Sequence, residues 1–305
     1  MASKTPDESS PGTARNPRLI TPAMLRAWRL PDPVGSKYSR GQVLVVGGAR
    51  GTPGAVALAG LSALRMGAGR LTLAVAESVS MPLAVNIPES GVIGLPESST
   101  GSVTGEDVER LLSRDLARSD AVLVGPGLDD AEGTASILEE LVPAAPKTLP
   151  IMLDAYAATV LPDLSKECLD LLSGRVVLSP NEVELAHLLE VDEIGPDELA
   201  SATRKVVERF GAVVACSGWV VTPDGFWRVA TGDTGLGTSG SGDVLAGGIT
   251  GLISRGAPPD QALVWGAYVH AAAGDRLASH FGRIGYLARE LLPELPQVLA
   301  SFRGD

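Results

Sequence analysis

The sequence predicts an α/β fold in which helices cover both faces of a mostly parallel sheet, and three observations lead to that prediction. Short β-rich runs alternate with longer helical stretches from residue 42 onward. These runs are apolar throughout instead of alternating, as is typical of strands buried on both faces. One hairpin-like segment is followed by helices alone. We therefore expect a three-layer α/β/α domain with a hairpin at the edge of its sheet.

Six apolar runs predict the parallel strands. The first, "QVLVVGG" (42–48), ends in two glycines, and the second, "GRLTLAVA" (69–76), follows one helix later. The other four runs are 120–127, 150–155, 174–180 and 211–218. Ligands of such folds bind beyond the carboxyl ends of the strands, so the polar and glycine-rich strand tips predict one shared crevice.

Helical patterns fill the spaces between the strands. The stretch "GAVALAGLSALRMGA" (54–68) is apolar on all sides and predicts a buried helix. Further helices are predicted over 131–142, 182–190 and 196–210. The stretch "WVVTPDGFWRVA" (219–230) has a "PDG" turn between two β-rich runs, which predicts the edge hairpin. The tail then forms helices over about 240–254, 259–279 and 285–301.

A single domain is predicted over residues 19–305. Residues 1–18 are polar, rich in Pro, Ser and Thr, and lack the apolar core of a signal peptide, so we expect them to form a disordered lead-in. No internal repeat and no linker rich in Pro, Gly or Ser divides the rest of the chain.

Charge and cysteine content exclude several classes of function. The 305 residues carry a formal net charge of −11, so the overall field repels nucleic acids and anionic membranes, and neither is an expected partner. The most apolar stretch is interrupted by Arg65, Arg70 and glycines and predicts no membrane span. Cys168 and Cys216 form no metal-binding pattern, so we expect no structural metal and a cytoplasmic location.

The most distinctive stretch is "GLGTSGSGDVLAGG" (235–248). It contains G-x-G-x-x-G, but it follows a hairpin and not an early strand, so it does not predict a dinucleotide-binding turn. A loop of small residues that opens a helix near residue 240 does predict an anion site, because the first-turn amides of a helix lack partners. The predicted anion hole consists of Gly237, Thr238, Ser239, Gly240, Ser241 and Gly242.

Asp243 lies in the first turn of that helix, and two interpretations of it are open. The helix dipole favours a carboxylate there by about 0.3–1 kcal/mol, whatever its function. Alternatively, Asp243 is a general base that takes the proton of a hydroxyl attacking a bound phosphoryl group. The three histidines, His187, His270 and His280, lie in helical stretches and are interpreted as packing or surface residues.

Motifs along most of the chain resemble those of one enzyme family. The stretch "SGSGDVLAGG" (239–248) resembles the anion hole and catalytic aspartate of the ribokinase-like superfamily. Within that superfamily, "LVGPGL" (123–128) and "LDAYAATVL" (153–161) are similar to strand-tip motifs of the ADP/ATP-dependent NAD(P)H-hydrate dehydratases, as are the blocks 36–69 and 242–275. The resemblance covers roughly residues 20–300 and implies a ribokinase-like fold.

The resemblance also implies a reaction and a set of site residues. Enzymes of this family phosphorylate the ring hydroxyl of hydrated NADH or NADPH (NADHX or NADPHX) from ADP or ATP and then eliminate phosphate, which repairs the coenzyme. By this resemblance Asp243 activates the hydroxyl, and the 237–242 loop stabilises the transferring phosphoryl group. The residues implied to contact the hydrated coenzyme are Ala55, Gly127, Asn181 and Asp243, and those implied to contact the nucleotide are Ser217, Gly218 and Gly242.

Cofactors and partners follow from the same resemblance. Mg²⁺ is implied to accompany the phosphates without a dedicated protein cage, and no metal ligands are assigned. ADP is the expected phosphoryl donor, with ATP as the alternative. A homo-oligomer is compatible with the apolar helix at 54–66 and with the helices of the tail.

Three departures from the family pattern keep other interpretations open. The stretch "SPNEVE" (179–184) has Asn181 where the family usually has a substrate-contacting histidine, and it is more similar to the Pro-Asn-x-x-Glu of ribokinase-like kinases. It favours, as the alternative, a kinase that phosphorylates a sugar or a vitamin-precursor alcohol. The stretch "CSGWVVT" (216–222) has Ser217 in place of a nucleotide-binding lysine, which leaves open a non-enzymatic nucleotide-binding protein. The first loop lacks the family's aromatic residue but contains Arg50, either as a compensating charge or as a solvated residue.

Overall fold

Ten strands form one twisted sheet at the centre of the computed structural model, which describes residues 9–32 and 35–302. Within these residues, β9 runs antiparallel to its two neighbours, and every other neighbouring pair is parallel. The strands, in chain order, are β1 (Arg18–Ile20), β2 (Gln42–Val46), β3 (Arg70–Ala76), β4 (Ser90–Leu95), β5 (Ala121–Val124), β6 (Ile151–Leu153), β7 (Val176–Leu178), β8 (Ala212–Cys216), β9 (Trp219–Thr222) and β10 (Gly225–Val229). Their order across the sheet is β1-β10-β9-β8-β7-β6-β5-β2-β3-β4.

Helices cover both faces of the sheet. Their bounds are α1 (Pro22–Ala27), α2 (Pro53–Arg65), α3 (Glu77–Asn86), α4 (Val108–Leu116), α5 (Ala131–Ala144), α6 (Tyr156–Thr159), α7 (Lys166–Leu172), α8 (Glu182–Leu188), α9 (Leu199–Phe210), α10 (Ser241–Ser254), α11 (Pro259–Phe281) and α12 (Ala288–Ala300). Along β2, Val43 and Val45 pack into one core with α2, α10, α11 and α12, whereas Leu44 and Val46 pack into a second core with α4, α5 and α9. The sheet is thus buried on both faces, which explains its continuous apolar strands.

The predicted three-layer fold is confirmed. All six predicted parallel strands are present, and the predicted helices agree with the observed ones to within a few residues at each end. β4 and β1 were not predicted. No helix among the described residues has both the length and the apolar composition that a membrane crossing requires.

The amino-terminal segment extends the sheet beyond the hairpin. Residues 1–8 of the predicted lead-in lie outside the described residues, but Gly12 exchanges two backbone hydrogen bonds with Phe226, of 3.0 and 3.1 Å. β1 then pairs in parallel with β10, and the Trp227 indole N–H donates to the Ser9 carbonyl at 3.3 Å. Described residues before the predicted boundary at residue 19 therefore already pair with the sheet, and the hairpin lies one strand inside the edge instead of at it.

The order of the strands places a crevice at the carboxyl ends of β2 and β5. From β2 the chain builds outward through β3 and β4, and it then returns to the other side of β2 to form β5. Loops that leave two neighbouring strands in opposite directions open a gap between them, and ligands of open α/β sheets bind there. The strand tips that the sequence singles out all lie along this edge.

Candidate functional site

The predicted anion site lies at the start of α10. Gly240 is the residue before the helix and has a φ of +89°, a left-handed conformation that favours glycine. The Ser241 N–H is bonded to the Thr238 carbonyl at 3.1 Å. The amides of Gly242 and Asp243 follow in the first turn, where a helix has no preceding carbonyl to accept from them. They can therefore bind an anion, with the helix dipole in support.

Close packing against α2 holds α10 in place. A Cβ added to Gly247 would lie 2.0 Å from the carbonyl oxygen of Ala59, so only glycine allows the two helices to approach this closely. The Ser62 hydroxyl donates to the Val244 carbonyl at 2.5 Å across the same contact. The anion site is thus anchored to a rigid element.

Asp243 is half-buried in the first turn of α10. Burial raises the pKa of its carboxyl from 3.8 to about 6. Near neutral pH it is therefore mostly ionised, yet basic enough to accept a proton, which is the property of a general base. Burial with a raised pKa is what the general-base interpretation requires, so that role of Asp243 stays a prediction with which the structure is compatible.

Asp154 is a site residue that the sequence analysis did not single out. It lies at the tip of β6, is 6% exposed, and accepts a hydrogen bond from the Ser179 hydroxyl at 3.1 Å. Burial, and then the negative charges of Asp243 and Glu184, raise its pKa from 3.8 to about 7. Three carboxyl groups from β6, α8 and α10 therefore lie in one electrostatic neighbourhood. In the sequence, the position of Asp154 at a strand tip is the feature that could have identified it as a site residue.

The predicted coenzyme-contacting residues Ala55 and Gly127 lie together where the loops after β2 and β5 meet. The Ala49 N–H donates to the Gly127 carbonyl at 2.8 Å. A Cβ added to Gly127 would lie 2.4 Å from the carbonyl oxygen of Thr52 and 3.2 Å from the Cβ of Ala55, so Gly127 requires the absence of a side chain. Its φ of +72° requires glycine as well.

Helix α2 connects this pair of loops to the anion site. Ala55 lies in its first turn, and Leu58 follows it on the same helix. A Cβ added to Gly240 would lie 2.6 Å from the Cδ1 of Leu58. The coenzyme-side loops and the Asp243 turn are therefore neighbours along one helix.

A cavity of about 700 Å³ adjoins the anion site, and neither Ala55 nor Gly127 is part of its lining. It is lined by six of the predicted site residues, Asn181, Ser217, Gly218, Gly237, Ser241 and Gly242. Leu236, Leu245, Ala267 and Ala271 form an apolar part of its wall. Thr238, Ser239 and Gly240 lie in the loop between Gly237 and Ser241 and are not part of the lining.

Asn181 has a structural role at the mouth of this cavity. It is the N-cap of α8: its Oδ1 accepts from the Glu184 N–H at 2.9 Å, and its own N–H donates to the Glu184 carboxylate at 3.0 Å. This reciprocal capping box accounts for Asn181 and Glu184 of "PNEVE" without a bound ligand.

His270 lies beneath the anion site. Its Nε2 is 3.0 Å from both the hydroxyl and the carbonyl oxygen of Ser241. Burial lowers its pKa from 6.5 to about 4, so the imidazole is neutral at pH 7. His270 is thus buried against the site, whereas His187 and His280 are exposed. Nothing in the local sequence distinguishes it from the other two.

Arg50 is not at the cavity. Its guanidinium forms an ion pair with Glu97 and donates to the Ser99 carbonyl at 3.2 Å. The pairing lowers the pKa of Glu97. The suggested compensating charge for the nucleotide is therefore bound to a carboxylate elsewhere.

The sequence is similar to those of known proteins of one enzyme family. A family model described as NAD(P)H-hydrate dehydratase matches residues 43–297. An ADP-dependent (S)-NAD(P)H-hydrate dehydratase from Xanthomonas campestris is 42% identical over 92% of this chain and 96% of its own length. A bifunctional NAD(P)H-hydrate repair enzyme from Moorella thermoacetica is 38% identical over 95% of this chain, which spans 55% of that enzyme. The chain thus spans about half the length of such bifunctional relatives.

Solved structures share the fold. An ADP/ATP-dependent NAD(P)H-hydrate dehydratase from Bacillus subtilis, co-crystallised with ATP and Mg²⁺, superimposes with a TM-score of 0.74 at 24% identity, covering 93% of this chain and 98% of that one. A ribokinase-like superfamily protein from Enterococcus faecalis has a TM-score of 0.74 at 23% identity and covers 89% of this chain and 91% of that one. At these identities the likeness shows the ribokinase-like fold alone.

Proposed function

This chain belongs to the NAD(P)H-hydrate dehydratase family, and from that premise we propose that it restores hydrated NADH or NADPH to the intact coenzyme at the expense of a nucleotide. One observation carries the proposal. A half-buried carboxyl whose pKa is raised to about 6 lies in the same helical turn as free amides that bind an anion. A base and a phosphoryl site in one turn are what phosphorylation of a hydroxyl requires.

The first step is phosphoryl transfer to the ring hydroxyl. The Asp243 carboxylate takes the hydroxyl proton as the oxygen forms a bond to the terminal phosphorus of the nucleotide, and the bond from that phosphorus to the leaving nucleotide breaks. The amides of Gly242 and Asp243 stabilise negative charge on the transferring group. We take ADP as the donor, as in the name of the Xanthomonas relative, so that AMP leaves.

The second step is elimination. The ring C–O bond breaks and phosphate leaves with the bonding electrons, while the neighbouring ring carbon loses a proton to solvent and its C–H electrons form the double bond. Phosphorylation makes this possible because phosphate is a far better leaving group than hydroxide. We assign the hydrated coenzyme to Ala55 and Gly127, at the joined loops, and the nucleotide to the cavity of about 700 Å³ that Ser217, Gly218 and Gly242 line, which is called the nucleotide cavity below.

The residues present fit a magnesium ion bound together with phosphates. Mg²⁺ prefers oxygen donors and keeps water and phosphate ligands, and Asp154 and Glu184, near the anion site, would offer it carboxylate oxygens once they are ionised. Among residues 9–32 and 35–302, no group of three or more His, Cys, Asp or Glu side chains could hold a metal without such help. When bound, the ion neutralises phosphate charge and polarises the transferring group.

Turnover of NADHX tests the proposal. Protein, NADHX and ADP should regenerate the absorbance of NADH, and Asp243→Asn should reduce the rate by at least about a thousandfold, because the base is lost while the shape is kept. Thermal unfolding and ADP binding of the variant serve as controls, and both should stay close to the wild type. No turnover by the wild type with either ADP or ATP would contradict the proposal.

The kinase alternative loses its motivating observation, because the capping box explains the Asn181 and Glu184 pair. The same assay still separates the two: NADHX-independent consumption of ATP that requires a sugar or vitamin-precursor alcohol would establish the kinase. Turnover that depends on Asp243 with either substrate would exclude a non-enzymatic nucleotide-binding protein.

We further propose a cytoplasmic location and a homo-oligomer. Both cysteines are free and buried, and burial raises their pKa values to about 12, so neither is a reactive thiol. Met81 and Val85 are 71% and 76% exposed on α3, beside the edge strand β4, and a second copy of the chain would cover them. Light scattering should show an assembly that Met81→Glu with Val85→Glu dissociates, and a monomeric wild type would contradict the homo-oligomer.

A further inference from the structure

The cavity that we assign to the nucleotide must offset the negative charge of the phosphates that it binds. A nucleoside diphosphate carries about three negative charges near neutral pH, the chain has a net charge of −11, and Asp154, Glu184 and Asp243 lie beside the anion site. Helix amides supply only partial positive charge. A full cation in the wall of the cavity would therefore strengthen binding of the phosphate that is not transferred, in addition to a magnesium ion at the transferring group.

Arg228 supplies the single unneutralised charge among the described residues that line the cavity. The lining includes two residues with charged side chains at pH 7, Arg228 and Asp233. Asp233 is paired with Arg283, which donates to both of its carboxylate oxygens at 2.6 and 2.8 Å. His270 is kept neutral by burial. No carboxylate lies within ion-pair distance of Arg228 in the described part of the chain.

The turn between β8 and β9 is built around this guanidinium. The Nη1 of Arg228 donates to the Ser217 carbonyl at 2.7 Å, and its Cζ lies 5.1 Å from the centroid of the Trp219 ring. A Cβ added to Gly218 would lie 2.2 Å from Nη1, so the glycine leaves room for Arg228. Ser217 adopts a φ of +45°, which is strained for a residue with a side chain and turns its carbonyl toward the arginine.

These contacts leave most of the guanidinium available for binding. An arginine has five N–H donors in a planar fork, and one of them is used by the Ser217 carbonyl. Fixing the fork on a ring and a carbonyl reduces the entropy lost when it binds an oxyanion, and the geometry of the fork matches phosphate. The apolar part of the wall, with Leu236 and Ala271, is suited to the base of the same nucleotide.

We propose that Arg228 binds the nucleotide through a phosphate that is not transferred, and that it takes the place of the lysine that the family pattern has at Ser217. This rests on the proposed function in that the nucleotide is the phosphoryl donor. The transferring phosphoryl group lies at the start of α10, and the phosphate nearer the ribose lies toward the turn between β8 and β9. Ser217 and Gly218 then act on the nucleotide through Arg228.

Binding measurements without the hydrated coenzyme test this assignment. Calorimetric titrations of ADP, AMP and adenosine are compared for the wild type and Arg228→Gln. We expect ADP affinity to fall by about 10- to 100-fold, in line with the loss of a charge-assisted phosphate contact, and adenosine affinity to change by less than about twofold. Arg228→Lys keeps the charge but not the fork, so it should recover part of the loss and show that the turn tolerates substitution.

Arg204 provides the matched control. Its Cζ lies 4.5 Å from the Phe226 ring centroid, and its Nη1 donates to the Thr222 carbonyl at 2.6 Å, so it braces the far end of the same hairpin without lining the cavity. Arg204→Gln should bind ADP like the wild type. Unchanged ADP affinity in Arg228→Gln, or an equal loss for adenosine, which would indicate contact with the base, would overturn the proposal.

The outcome is separable from that of the proposed function. A wild type that binds ADP through Arg228 but does not convert NADHX would refute the dehydratase and leave Arg228 assigned. Conversely, if the wild type converts NADHX and Arg228→Gln binds ADP as tightly as the wild type, the dehydratase is upheld and the assignment of Arg228 to the nucleotide is refuted.

Discussion

Asp154 and Asp243 are neighbouring carboxyl groups that differ in burial and therefore in protonation state. Asp243 is half-buried and lies in the same helical turn as the amides of the predicted anion site. Asp154 is more deeply buried and accepts a hydrogen bond from the Ser179 hydroxyl. The charge of Asp243 is among the causes that raise the pKa of Asp154. The buried group therefore tends to hold a proton near pH 7, which keeps Asp243 as the ionised member of the pair.

The rate of the reaction should depend on the protonation of Asp243. Its pKa is about 6, so the fraction in the basic form falls as the pH drops below that value. We expect kcat/KM for NADHX to decrease about tenfold per pH unit below about pH 6. Initial rates at saturating ADP between pH 5 and 8 measure this, with circular dichroism as the control for folding. A rate at pH 5 equal to that at pH 7 would contradict the assignment of Asp243 as the base.

Candidate site residues could be predicted from the sequence where they follow one another in a single stretch of chain. The 237–243 loop predicts an anion site by itself, because small residues before a helix start leave the first-turn amides accessible. Asp154, Arg228 and His270 could not be found in this way. Each acquires its role from a contact with a distant segment, respectively Ser179, Ser217 and Ser241.

Helix α10 is positioned by glycines that face α2. Gly247 and Gly251 approach the carbonyl oxygens of Ala59 and Ala63, where an added Cβ would lie at 2.0 and 2.5 Å. Backbone carbonyls cannot rotate away as a side chain can, so a methyl group here must separate the helices. The small residues of "GDVLAGGITGL" are therefore a packing surface as well as the continuation of the anion loop.

Gly247→Ala should lower the free energy of unfolding by about 1–3 kcal/mol, because it overpacks the contact between α2 and α10. Gly242→Ala is the matched comparison, since an added Cβ meets no atom within 4 Å there. That change should be neutral or stabilising in urea unfolding, by up to about 1 kcal/mol from helix propensity, while weakening ADP binding. Equal destabilisation by the two substitutions would contradict the packing argument.

Two strands escaped the sequence pattern for identifiable reasons. β4 reads "SGVIGL", and glycine is depleted in strands. Gly94 leaves room for the Glu77 side chain, whose carboxylate an added Cβ would meet. β1 is three residues long, and two of its side chains are exposed, so it has neither the length nor the apolar composition of the buried strands. Its position is set by the free edge of β10.

The whole molecule combines a strongly acidic surface with a site for anionic ligands. A net charge of −11 slows the approach of nucleotides and coenzymes, so their binding depends on local groups: helix amides at α10 and, in our proposal, Arg228. Both lie in the lining of one cavity, with Gly242 in the first turn of α10 and Arg228 on β10. The three-layer fold also buries two titratable groups, Asp154 and His270, whose effects on stability oppose each other.

Burial of these two groups makes the free energy of unfolding depend on pH in opposite directions. The pKa of Asp154 is raised to about 7, so between about pH 4 and 7 the folded state binds more protons than the unfolded state, and the free energy of unfolding falls as the pH rises. The pKa of His270 is lowered to about 4, so between about pH 4 and 6.5 the unfolded state binds more protons, and stability rises with pH. Across the shared window the two contributions offset each other.

Removing either group should therefore tilt the stability profile. Asp154→Asn removes the falling contribution, so its unfolding free energy should rise relative to the wild type as the pH increases from 4.5 to 7.5, by about 1–3 kcal/mol in total. His270→Gln removes the rising contribution, so its cost should be larger at pH 7.5 than at pH 4.5. Urea unfolding at four pH values measures both slopes, and His187→Gln, at an exposed position on α8, should leave the profile unchanged. If both buried-site variants tilted the profile in the same direction, the opposed linkage would be refuted, because only groups buried in opposite protonation states can produce opposite slopes.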